Sequence, residues 1–134
     1  MTYYQEKLRQ LHKKIYANQG QIDTVIAMRK YIDCHFQNDL HLDQLSDVQF
    51  TSKFHLLRLF KRYYGLTPRQ YLINKRIEQS KKYLIKGHSV TETCFAVGFR
   101  SLGSFSALFK NKTGKSPIQF RKEQFSRRIS ERET

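Results

Sequence analysis

Tryptophan is absent from the sequence, proline occurs twice and glycine six times in 134 residues, and acidic side chains number 11 against 25 lysines and arginines. Two prolines and six glycines are too few for an all-β fold with many tight turns, and too few for a disordered chain. The missing tryptophan does not starve a core, because 10 Phe and 8 Tyr supply the volume. Two cysteines, Cys34 and Cys94, make no disulfide framework and fit a reducing compartment. Cys34 falls in an amphipathic helical pattern and Cys94 among small apolar residues, so both are expected as buried free thiols. No stretch approaches the roughly 20 apolar residues of a membrane span. The start Met-Thr-Tyr-Tyr-Gln-Glu leads into no apolar run, so no secretory signal is read and a cytoplasmic protein is expected. The histidines His12, His35, His41, His55 and His88 fall in no metal spacing, and neither C-x-x-C nor H-E-x-x-H occurs. With no glycine-rich phosphate loop either, no catalytic residue, metal or cofactor is expected, and the chain reads as a protein that is not an enzyme.

What is present in excess is positive charge. The formal net charge is +14 and the isoelectric point about 10.0. The surplus is uneven: residues 1–48 carry 6 basic and 6 acidic side chains, whereas residues 49–134 carry 19 and 5. A polyanion is the natural partner of such a surface, through release of the counterions condensed on its phosphates. An anionic membrane fits less well, since the cations are interleaved with core-type residues and do not form one basic tract. A chain of this length is one domain, or two small units on one scaffold, and buries about two-thirds of its unfolded surface without a metal or disulfide.

The basic part repeats itself. L-F-K-R-Y-Y-G-L-T-P at 59–68 returns as L-F-K-N-K-T-G-K-S-P at 108–117, and each proline is followed by a glutamine and an aromatic, Gln70-Tyr71 and Gln119-Phe120. Around this repeat the apolar periodicity predicts only helices. Tyr4, Leu8, Leu11 and Ile15 mark a helix over 3–17, ended by Asn18-Gln19-Gly20. Ile22, Val25, Ile26, Ile32 and Phe36 mark a second over 22–37. A short helix follows at 42–48, carrying Leu42, Leu45 and Val48, with Asp43 suited to its positive end. Ser52 is a candidate N-cap for a helix to about Tyr64, which stops at Gly65. Thr67 caps the next, with Pro68 at its first position, where a missing N–H costs nothing. That long helix reaches Lys86, with Leu72, Ile73, Ile77 and Leu84 inward and Arg69, Lys75, Arg76, Lys81 and Lys82 on its basic face. The pattern then restarts: a short helix at 90–97, a turn at Gly98, a cap at Ser101, a helix to Thr113 and Gly114, and a last helix from Pro117 to about Phe125. Residues 126–134 are expected to fray.

A short helix, a tight turn and a longer helix make a helix-turn-helix, whose second helix enters the major groove of DNA. Small residues at Ser46 and Cys94 would let the paired helices approach. The stretch V-T-E-T-C-F-A-V-G-F-R-S-L-G-S-F-S-A-L-F-K-N-K-T-G-K-S-P-I-Q-F-R at 90–121 resembles the second helix-turn-helix signature of the AraC family of bacterial transcription regulators. The stretch S-K-F-H-L-L-R-L-F-K-R-Y-Y-G-L-T-P-R-Q-Y-L at 52–72 resembles the first, at the family's spacing. The resemblance covers about 22–123. It implies an all-α fold: two homeodomain-like helix-turn-helix subdomains (21–66 and 87–125) on a connector helix (67–86), with an N-terminal helical extension (1–20) and a flexible tail (126–134). It also implies a DNA-binding regulator that engages two successive major-groove segments, binds as a monomer and contacts RNA polymerase.

Position then assigns roles. Lys53, Phe54, Leu57 and Arg58 lie on the early outward side of the first recognition helix. Arg58 is the leading candidate for base readout, since a guanidinium matches guanine O6 and N7 in bidentate fashion; a phosphate contact or a solvated side chain are the alternatives. Phe54 either presses on a thymine methyl or packs inward. Leu56, Phe60, Phe105 and Phe109 read as core. The equivalent outward positions of the second recognition helix are Leu102, Gly103, Ser106 and Ala107, with alanine where many family members carry arginine. Small and apolar side chains make no bidentate base contact, so this half is expected to bind through phosphates, shape and methyl packing. Phe50, where a turn often has glycine, is expected in the first core. Phosphate contacts are expected from Ser52 and Ser101 at the helix starts, and from Lys61, Arg62, Lys75, Arg76, Lys110 and Lys112. Two competing readings remain: a nonspecific architectural binder, supported by the weak second recognition helix, and a protein-interaction module using the helix at 3–17. A ligand-sensing domain does not fit in residues 1–21. The chain therefore reads as a stand-alone regulator, with the DNA-binding fragment of a larger one as the alternative.

Overall fold

The structure is a computed structural model that describes residues 2–40 and 52–133, with the side chains of these except 13–18 and 133. The expected short helix at 42–48, with Asp43 and Ser46, and the expected core residue Phe50 lie outside the described residues. Six helices run through the rest: α1 (Tyr3–His35), α2 (Lys53–Tyr64), α3 (Pro68–Ile85), α4 (Val90–Ala96), α5 (Leu102–Thr113) and α6 (Pro117–Glu133). Among the described residues there is no strand. The chain divides into two compact units. The first takes residues 1–34 and 41–68, the second residues 35–40 and 69–134.

In the first unit α1 buries Val25, Met28 and Ile32, spaced three and four apart so that they share one helix face. α2 buries Leu56, Leu59 and Phe60. The Arg29 guanidinium lies over the Tyr64 ring, 5.8 Å from its centroid, and ties the two helices together. The helix stop expected at Asn18-Gln19-Gly20 does not occur, because α1 is continuous for 33 residues. One interior glycine costs a helix only about 1 kcal/mol relative to alanine. Two local bonds span the site: Thr24 Oγ1 donates to the Gly20 carbonyl at 2.8 Å, and Gln19 Nε2 donates to Asp23 at 3.1 Å. Tyr4, Leu8 and Leu11 share the expected face but remain 72%, 51% and 49% exposed. Cys34 is exposed, contrary to expectation, since it lies off the Val25–Met28–Ile32 face.

In the second unit Ile77 and Leu84 of α3, Cys94 of α4, Val97 and Phe99 of the turn, and Phe105 and Phe109 of α5 form the core, with Phe36 and Phe120 packed against it. Its centre is a file of rings: Phe99 to Phe105 at 5.2 Å, Phe105 to Phe109 at 5.7 Å, and Phe109 edge-on to Phe120 at 5.4 Å. Such tilted and edge-on pairs add to the stabilisation from burial itself. Cys94 is buried here as expected, and burial pushes its thiol pKa up. α6 continues past the expected end near Phe125 to Glu133, and no proline or glycine follows Phe125 to stop it.

The turn between α4 and α5 carries the closest backbone approach. Gly98 has φ 103°, and a Cβ placed on it would lie 2.9 Å from Gln37 Cα, the Gln37 carbonyl oxygen and the Phe36 carbonyl oxygen. The segment after α1 is held there by Arg76, whose Nε donates to the Phe36 carbonyl at 2.7 Å and whose Nη2 donates to the Asn38 carbonyl at 2.9 Å.

Candidate nucleic-acid interface

The two recognition helices are framed alike. Ser52 precedes α2 in an extended conformation (φ −73°, ψ 148°), and its hydroxyl accepts from the His55 N–H at 3.1 Å. Ser101 precedes α5 (φ −129°, ψ 125°), and its hydroxyl accepts from the Ser104 N–H at 3.3 Å. Each helix ends on a left-handed glycine, Gly65 at φ 77° and Gly114 at φ 82°. Each glycine N–H donates to the carbonyl of the repeat's lysine, Lys61 or Lys110, at 2.8 Å. The doubled Leu-Phe-Lys…Gly…Pro is therefore frame: its phenylalanines are buried and its glycines close the helices. Loss of such a cap costs about 1 kcal/mol. Ser101→Ala should lower stability by about that amount in chemical denaturation, and Ser101→Gly by only a few tenths. Equal losses for the two would mean that the hydroxyl does not cap α5.

The residues expected to meet DNA sort into groups. On α2, Lys53, Phe54, Arg58, Lys61 and Arg62 are exposed, while Leu57 is half-buried. Phe54 is 70% exposed, so the inward alternative for its ring falls away. On α5, Leu102, Gly103, Ala107, Lys110 and Lys112 are exposed and Ser106 is half-buried. Each recognition helix thus offers an outward early face followed by cations in its last turn. Lys75 on α3 is half-buried.

Arg76 differs from the other cations. Its guanidinium spends two donors on the Phe36 and Asn38 carbonyls and lies 5.5 Å from the centroid of the Phe99 ring. Burial, and then the like charge of Arg69, push its pKa below the ordinary guanidinium value. Its surroundings make it an internal clamp, and the expected phosphate contact from this residue is withdrawn. Arg100 is the residue that sequence reasoning passes over. It directly precedes the α5 cap, is 80% exposed and pairs with Asp39. A cation one place before a capping serine was the available signal.

Among the described residues no group of three His, Cys, Asp or Glu could hold a metal, and no helix is long and apolar enough to cross a membrane.

Comparison with known proteins agrees with this geometry. A family described as a helix-turn-helix domain matches residues 45–123. The "Bifunctional transcriptional activator/DNA repair enzyme AdaA" of Bacillus subtilis is 36% identical over 98 residues, 72% of this chain and 46% of that protein. An HTH-type transcriptional regulator from the cgkA 5' region of Pseudoalteromonas carrageenovora is 34% identical over 112 residues, 82% of this chain and 67% of that protein. The chain thus spans about half the length of the first relative and two-thirds of the second. Among solved structures, the C-terminal domain of the response regulator AraT from Geobacillus stearothermophilus is similar with a TM-score of 0.71 at 29% identity, over 75% of this chain and 84% of that one. The DNA-binding domain of the transcription factor AdpA, solved with a target DNA, is similar with a TM-score of 0.73 at 25% identity, over 78% of this chain and 96% of that one.

Proposed function

Since the chain belongs to the AraC-type helix-turn-helix family, we propose that it is a transcription regulator that binds a specific duplex DNA through two recognition helices, α2 and α5, in successive major-groove segments. The observation that carries this reading is the duplicated frame. Two helices have the same serine cap, the same glycine stop and an exposed early face, in the part of the chain that holds the whole positive surplus.

The two faces divide the work. Lys53, Phe54, Leu57 and Arg58 on α2 give hydrogen-bonding and apolar contacts to base edges, with Arg58 as the main reader. Leu102, Gly103, Ser106 and Ala107 on α5 have no long donor, so this half reads by methyl packing and groove shape. Ser52, Ser101, Lys61, Arg62, Lys75, Lys110 and Lys112 serve the phosphates. One chain carries two groove-binding helices, so it binds as a monomer, and it acts in the cytoplasm by contacting RNA polymerase at a promoter. The repair activity in the name of the Bacillus subtilis relative is stated of that protein alone.

Selection of bound sequences from a random duplex pool tests this reading. The expected result is one motif with a sharply defined half and a weakly defined half. No enriched motif would leave the nonspecific architectural reading in its place. Two equally sharp halves would overturn the division of work between α2 and α5.

A further inference from the structure

Arg100 lies between two fixed residues. Phe99 is buried in the core of the second unit, and Ser101 caps α5. The Arg100 side chain nevertheless projects into solvent, 80% exposed, and its Nη2 pairs with Asp39 Oδ2, itself 42% exposed. Asp39 is held in place by its own neighbourhood, since the Asn38 carbonyl accepts from Arg76 and the Asn38 N–H donates to the His35 carbonyl at 3.0 Å. This pair joins residues far apart in sequence, unlike four local pairs. Glu6 with Arg9, Glu78 with Lys81, Glu92 with His88 and Glu123 with Lys115 join near neighbours in sequence. Asp39 and Arg100 join the segment after α1 to the start of a recognition helix. So exposed a pair contributes little to stability. It does decide where an arginine beside α5 spends its charge in the absence of DNA.

We propose that Arg100 contacts the DNA backbone and that Asp39 is its internal competitor, a carboxylate occupying in the free protein the place a phosphate takes in the complex. The inference rests on the DNA-binding reading above. A guanidinium makes the same forked hydrogen bonds to a carboxylate and to a phosphate, so exchange between them needs no rearrangement beyond the side chain. In the free protein Asp39 lowers the positive potential at the start of α5. In the complex it has lost its partner and stands near the phosphate that took it, which weakens binding. Asp39 therefore tempers an affinity that a net charge of +14 would otherwise drive toward any duplex. Because the contact is to the backbone, the effect is independent of base sequence.

The test is a binding cycle on one random and one selected duplex, at several salt concentrations, with the full chain. Arg100→Ala should weaken binding to both DNAs alike and reduce the salt slope by about 1. Asp39→Asn should tighten binding to both by about 2- to 5-fold at moderate salt. In the Arg100→Ala background the same change should do markedly less. An equal gain from Asp39→Asn in both backgrounds would overturn the proposal, since it would report only the removal of one negative charge. So would unchanged or weaker binding by Asp39→Asn at an unchanged melting temperature. If Asp39→Asn lowers the melting temperature, the exchanged pair Asp39→Arg/Arg100→Asp decides: it keeps the pairing but puts the acid beside α5, and should bind both duplexes more weakly than the parent. Parent-like binding by the exchanged pair overturns the proposal. Failure of the parent protein to bind any duplex would instead overturn the function proposed above.

Discussion

Gly98→Ala should destabilise the protein by about 3–5 kcal/mol, from backbone strain and overpacking together. The first part comes from φ 103°, a region that side chains with a Cβ rarely adopt. The second comes from three backbone atoms of residues 36 and 37 at 2.9 Å from the new methyl. Those atoms cannot easily retreat, because the Phe36 carbonyl is fixed by Arg76 at 2.7 Å and the Phe36 ring packs against the core. Gly114→Ala is the control. Its φ of 82° is also left-handed, but nothing lies within 4 Å of the added Cβ, so it should cost about 1 kcal/mol. Denaturant melts of the two variants separate the terms. A Gly98→Ala loss within 1 kcal/mol of the Gly114→Ala loss would mean that the segment after α1 does not pack on this turn.

Arg58→Ala should lower the discrimination between selected and random duplex by about 1–3 kcal/mol, roughly 5- to 150-fold. Arg58 is exposed on the outward side of α2, past the Ser52 cap and beside the exposed Phe54. Lys61→Ala, in the last turn of the same helix, should instead weaken both DNAs equally and reduce the salt slope by about 0.9. Competition binding across salt distinguishes the two. Equal loss on both DNAs for Arg58→Ala would reassign Arg58 to the phosphates. The contrast also separates base reading from simple loss of a positive charge, since each variant removes one.

The parts of the molecule legible in the sequence are those decided locally. A serine, a helix and a glycine stop declare themselves within about a dozen residues, and so α2 and α5 stand where the periodicity predicts. The outward faces follow from the same 3.6-residue period. Single-residue stop signals read less well. Gly20 suggests a break, but two side-chain bonds within one turn of it keep α1 intact. The end of α6 was obscured by its charge, which suggests a loose tail although no residue there opposes a helix. Least legible was which cation of α3 works inside the fold. Arg76 shares its helix with Arg69, Lys75, Lys81 and Lys82, and only the carbonyls of residues 36 and 38 single it out. Those lie about forty positions upstream, where no sequence period reaches.

The second unit is built from two stretches of chain, 35–40 and 69–134, and the first stretch is synthesised long before the second. Phe36, Gln37 and Asn38 must wait for Arg76 and Gly98, so completing this unit closes a loop that contains all of 41–68. The entropy of that closure grows only slowly with loop length, but contacts this distant in sequence raise the contact order, which goes with slower folding. In sequence, residues 41–68 of the first unit therefore lie between the two stretches of the second, whereas residues 1–34 precede both. A gene fragment that begins at α3 would encode a recognition helix α5 whose preceding turn lacks the backbone it was shaped around. Exchange of second units between relatives would have to carry residues 35–40 along with 69–134, as two cuts and not one.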